Sequence, residues 1–138
     1  MIDPFKSFRF EDRMCTGSIA CPMWDNLLLR VFVPFGDQPR PVEHQIRITS
    51  QLVLPRESIR AKTEAAIVEA AEKLGIPTMS PAVAFSEPQV WIPPVHTVQS
   101  ALDDVFVLLF NRPASNTFQA VALVNGWNVQ NVEVTALD

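Results

Sequence analysis

The chain is short of several things at once. Its 138 residues include four glycines, two cysteines and two histidines, and only 19% of them are charged. Each shortage removes a class of function. The glycines, at positions 17, 36, 75 and 126, stand far apart, whereas a phosphate cradle needs them closely spaced ahead of a helix. Nucleotide binding by that route is excluded. Eleven Lys and Arg against fifteen Asp and Glu leave a net charge of −4, so there is no broad basic field to hold nucleic acid or an anionic membrane surface. Neither partner is expected. The strongest apolar run, LLLRVFVPF, is broken by Arg30 and Pro34, well short of the roughly 18 residues of a membrane-spanning helix. The opening MIDPFKSFRFEDRMC lacks the basic start and apolar stretch of an export signal, which points to the cytoplasm. Cys15 and Cys21 have five residues between them, a spacing that fits free thiols in that compartment and also permits a hairpin bridge.

What the chain does have is core. Hydrophobic residues make up 48%, with nine Phe and three Trp, enough for one domain spanning residues 1–138. FRFEDRM reads as a strand, Thr16-Gly17-Ser18 as a turn, and Leu27 to Val33 as a strand with Leu27, Leu29, Val31 and Val33 inward. On its other face Arg30 reaches water between Leu28 and Phe32, which make that side partly apolar as well. Residues 42–53 leave helix and strand both open: Pro41, Glu43 and a Val42, Ile46, Val53 stripe incline them to helix, while Ile46 and Ile48 alternate with polar neighbours. Pro55 to Leu74 is the principal helix, with Ile59, Thr63, Ala66, Ile67, Ala70 and Leu74 on one face. Gly75 supplies a left-handed cap and Pro77 forbids continuation.

Residues 76–89 read as a proline-rich loop held to the core by Val83 and Phe85. Val90-Trp91-Ile92 is strand-like, and the prolines that follow it call for an edge position or a strand end. Val105 to Phe110, Thr117 to Val124 and Trp127 to Thr135 form a meander, with a turn over 112–116 and a two-residue turn at Asn125-Gly126. Pairing Val124 with Trp127 would leave Val132 and Val134 on the wrong face, so a bulge near Gln130-Asn131 is predicted to return them. The fold class is α+β: a mainly antiparallel sheet, one principal helix (about 55–74) on one face, and a C-terminal meander.

The reactive side chains are scattered. Cys15, Cys21, His44 and His96 lack the paired close spacing of a zinc site, so no metal or cofactor is expected, with both cysteines small packed residues and both histidines exposed. No serine sits in a nucleophile elbow, and Asp103-Asp104 are chain neighbours that point apart. FKSFRF, with Phe5, Phe8 and Phe10 beside Lys6 and Arg9, is the sole candidate for stacking on single-stranded nucleic acid. The acidic Glu11-Asp12 that follows favours an arm docked on the core. Trp91, beside Pro93-Pro94, is the candidate interface anchor.

Gly17, Trp24, the Leu27 to Val33 strand, the helical stretch opened by Gln45, the helix to Leu74, Trp91-Ile92 and the closing Asn125-Gly126 and Val132-Glu133-Val134 follow an order that resembles a diffuse family of small uncharacterised bacterial α+β proteins, some associated with toxin-immunity genes. That family commonly carries Trp-Asp-acidic-His-Gly before the penultimate strand, where this chain has Asn111-Arg112-Pro113-Ala114-Ser115. The resemblance implies no catalytic residues. It does imply an immunity-type inhibitor of a partner protein. From the residues themselves the expectation is a non-enzymatic interaction module, with Trp91, Glu87, Asp103 and Asp104 as partner-binding candidates and Glu133 among the acidic residues that steer a basic surface. Two alternatives stand beside it. One is a small hydrolase or isomerase using His96 with Asp103 or Asp104; the other is a subunit that associates with itself through the Val90 to Ile92 edge or a Trp91 patch.

Overall fold

A computed structural model describes residues 4–54, 57–75, 88–93, 105–110 and 118–136. The described strands form one sheet in chain order: β1 (Arg9–Glu11), β2 (Met14–Cys21), β3 (Leu27–Pro34), β4 (Gln89–Trp91), β5 (Val105–Phe110), β6 (Phe118–Asn125) and β7 (Asn128–Ala136). Only β3 and β4 run parallel; every other neighbouring pair is antiparallel. Parallel strands cannot be joined by a tight turn. The connection between these two holds α1 (Glu43–Gln51) and α2 (Glu57–Lys73). The class is α+β, and residues 42–53 resolve as a second helix beside the principal one. No helix among the described residues is long and apolar enough to cross a membrane.

Both helices pack on the same sheet face. That face carries Leu29, Val31 and Val33 of β3, Val90 of β4, Phe106, Leu108 and Phe110 of β5, and Ala120, Ala122 and Val124 of β6. Ile48 and Leu52 from α1 and Ile59, Ile67 and Ala71 from α2 close over it. Leu27 was expected inward and is instead 46% exposed, because it starts β3 opposite Cys21, at the rim of the packed area. Thr16-Gly17-Ser18 is not a turn either. It lies inside β2, and the reversal into that strand occurs at Asp12-Arg13, whose φ angles of 45° and 65° suit a two-residue hairpin. Gly17 serves packing here: the ring of Phe8 lies where a Cβ would stand. Phe5 and Phe8 meet edge to face, 5.3 Å apart, and both are buried, so the N-terminal arm docks on the core.

Of the two expectations for β4, an edge or a strand end, the structure shows the strand end and not the edge. The strand runs between β3 and β5 and stops before Pro93, so the prolines mark a strand end and cost the ladder nothing. In α1 and its C-terminal cap the fully buried residues are His44, Gln45, Ile48, Thr49 and Leu52, while of the Val42, Ile46, Val53 stripe Val42 and Ile46 are half-buried and Val53 is 52% exposed. The reason is hydrogen bonding. Gln45 Nε2 donates to Pro34 O at 2.6 Å and to Ile92 O at 2.7 Å, while its Oε1 accepts the Val42 N–H at 2.9 Å. One side chain thus ties the start of α1 to the ends of both parallel strands. In α2, Thr63 buries its hydroxyl against Ile59 O, and Leu74 falls outside the packed face at 57% exposed. Gly75 adopts φ +73° and closes the helix as the pattern predicts, while Pro55, Pro77, Val83, Phe85 and the 112–116 turn lie outside the described residues.

The last hairpin turns one residue later than expected. Asn125 pairs with Asn128, so Gly126-Trp127 forms the turn with φ values of 59° and 64°. A positive φ is costly for tryptophan. Its ring offsets part of that cost by packing 5.1 Å from Phe106. The predicted bulge is present: Val124 faces Val129 and Leu123 faces Asn131, leaving Gln130 unpaired. Val132 and Val134 therefore lie opposite Ala122 and Ala120, on the core side.

Candidate interaction face

The sheet has a second apolar side. Because side chains alternate along a strand, the residues between those of the core project away from the helices. Across four strands the register sets Phe32 beside Trp91, Trp91 beside Val107 and Val107 beside Leu123. A second row sets Gln89 beside Leu109 and Leu109 beside Val121, which faces Glu133 on β7. These apolar side chains are half-buried, and no described helix or strand lies over them.

Phe32 and Trp91 form the centre. Their rings stack at 4.4 Å with an interplanar angle of 10°. Arg30 places its guanidinium 5.5 Å from the centroid of Phe32, and Trp91 Nε1 donates to Gln89 Oε1 at 3.3 Å, which fixes the indole. Beside the aromatic pair a shallow recess of about 380 Å³ is lined by Arg9, Glu11, Thr16, Ser18, Arg30 and Phe32. Leu28, two positions along β3 from Arg30, is 67% exposed. Trp, Arg and Phe over a rigid sheet match the composition of interface centres.

Of the residues singled out from the sequence, the structure places Trp91 on this face. Glu87, Asp103, Asp104 and His96 lie outside the described residues. Phe32, Val107, Leu109 and Val121 were not singled out as site residues, although Leu28 and Phe32 on the Arg30 side of β3 carried the signal. An unbroken apolar run such as VFVLLF marks a strand apolar on both sides.

Among the described residues the reactive side chains are engaged in structure. His44 is buried, contrary to the expectation of exposure, with Nε2 2.8 Å from Pro93 O. Neither cysteine is in a disulfide, and both are buried on the core side of β2. Cys21 directs Sγ to Leu52 O at 3.4 Å, and burial pushes its thiol pKa up against the lowering effect of the Met23 and Trp24 backbone. A thiol held protonated is a poor nucleophile. Arg60 bridges Asp25 at 3.1 Å and Glu64 at 3.5 Å while lying 5.9 Å from the Trp24 ring. Burial raises the Glu64 pKa, with Arg60 opposing the shift. Among the described residues no group of three or more His, Cys, Asp or Glu is placed to hold a metal ion.

Comparison with family models, curated proteins and solved structures returned no match.

Proposed function

We propose that the chain is a non-enzymatic protein-binding module that uses the open sheet face, and that it acts as an immunity-type inhibitor of a basic partner. The observation that carries this reading is the stacked Phe32–Trp91 pair at the β3 end of a half-buried apolar row that no described element covers. Desolvating such a row on a partner is favourable at roughly 25 cal/mol per Å² of apolar surface. Rigid strands keep the entropy cost of presenting it low. The net charge of −4 steers a basic protein toward the chain, and Arg30 beside the aromatic pair fixes the local register.

A photo-crosslinker at Leu28, with a control at Leu54 near the start of α2, tests this. The expected result is one basic protein captured at position 28 and not at 54. Its affinity should fall about 30-fold or more on Trp91→Ala, with melting temperature and circular dichroism checking the fold. A partner that binds Leu28→Glu and Trp91→Ala as tightly as the unaltered chain overturns the reading. So does turnover of a small substrate by the purified protein.

A further inference from the structure

The two outer strands of the sheet are unequal. β1 is three residues long, and its Arg9 and Glu11 side chains close on each other at 2.6 Å. β7 is nine residues long and carries one ionisable side chain, Glu133. Alternate N–H and C=O groups of an outer strand point away from the sheet and accept a further strand. Alongside β7 runs a groove of about 500 Å³ between the strand and α2, lined on the strand by Val129, Val132 and Val134 and on the helix by Ala66, Ala70 and Leu74. The exposed flank of α2 at this groove holds one charge of each sign, Glu69 and Lys73, 3.5 Å apart.

We infer that this edge pairs with the same edge of a second copy of the chain. The charge pattern selects that occupant. A two-fold axis perpendicular to the sheet runs the two β7 strands antiparallel and keeps both α2 helices on one side. The same operation runs the α2 flanks antiparallel, so Glu69 of each copy is brought toward Lys73 of the other. A flank of net zero charge attracts no partner of one sign, yet it is complementary to its own rotated image. The strand obeys the same logic. Residues directly opposite must share a face, so a symmetric ladder centres on a residue. Centring on Glu133 would set two carboxylates against each other. Centring on Val134 sets Val132 opposite Ala136 and Glu133 opposite Thr135, where a hydroxyl can donate to the carboxylate. That ladder lies wholly beyond the Gln130 bulge, in the regular part of β7. The small Ala66 and Ala70 let the helix flanks approach. This interface is separate from the Phe32–Trp91 face, so one can fail without the other.

Sedimentation equilibrium of the full chain at up to about 0.1 mM tests the pairing. The expected result is a monomer–dimer equilibrium. Val134→Pro should abolish the dimer, with circular dichroism confirming that the monomer is folded, because the alternation of the β6–β7 ladder points the Val134 N–H away from β6 and proline removes that donor. Glu69→Lys should weaken the dimer about tenfold, since it turns two facing opposite-charge pairs into repulsive ones. The double variant Glu69→Lys/Lys73→Glu should restore it, because the rotated flanks are complementary again. Trp91→Ala should leave the dimer intact. A chain that stays monomeric at the highest concentration overturns the inference, as does a dimer indifferent to both Val134→Pro and Glu69→Lys.

Discussion

Leu108 and Leu109 are neighbours in β5 and belong to different surfaces. Leu108 is 1% exposed, faces Val90 and Ala122, and lies under the helices. Leu109 faces Gln89 and Val121 and is half-buried on the side that no described helix covers. Both sides of the sheet are apolar, yet among the described residues helices close only one. The difference teaches that hydrophobicity alone does not mark a core. Coverage does, and coverage comes from the crossover between β3 and β4.

The largest test of that contrast replaces each leucine in turn. Leu108→Ala should cost about 3 kcal/mol in urea unfolding, and Leu109→Ala about 1 kcal/mol, since a half-buried site leaves no enclosed cavity. Equal costs would mean that the open side is packed as tightly as the covered one. The clamp over the covered side comes next. Gln45→Leu strips partners from Pro34 O, Ile92 O and the Val42 N–H at once, and should cost about 2–3 kcal/mol with the apolar volume kept. A neutral result would show that α1 is held by Ile48 and Leu52 alone.

A smaller effect sharpens the boundary of the covered side. Gly17→Ala drives a methyl into the Phe8 ring and should lower stability by about 1–2 kcal/mol, while Gly36→Ala, with open space around it, loses only the strain of its positive φ. Pairing Gly17→Ala with Phe8→Ala should recover part of the loss. The smallest effect is a pH slope. Burial raises the Glu64 pKa above its ordinary 4.5, so its protonated form is favoured in the folded chain. The associated stability is full below that ordinary value and is lost as pH rises through the folded one. Relative to Glu64→Gln, the unaltered chain should therefore lose melting temperature between pH 4.5 and neutrality, and parallel curves for the two proteins would refute the shift.

The candidate site was legible only in part. Trp91 stood out because a large aromatic beside two prolines is conspicuous in any reading. Its partner Phe32 lies 59 positions away in the chain. Their stacking depends on β3 and β4 lying side by side in parallel, which no local pattern announces. The expectation of an exposed His44 failed for a related reason, one that the neighbouring Gln45 shares. Polar residues on a helix read as the wet side unless their partners are known, and the partners of these two are backbone carbonyls at the ends of distant strands.

Local chemistry alone was sufficient for β3 and β5, for the stop of α2 at Gly75, and for the bulge that turns Val132 and Val134 back to the core. In each case the determinant is a backbone preference or a two-residue alternation contained within a few positions. The tertiary structure decided that β4 is internal, that Gly17 is a seat for Phe8, that α1 buries a glutamine, and that the described helices cover one of two apolar sheet sides. Those outcomes depend on which distant strand or helix arrives alongside. The free energy of burial and of a satisfied hydrogen bond belongs to the pair that meets, not to either residue in its own stretch of chain.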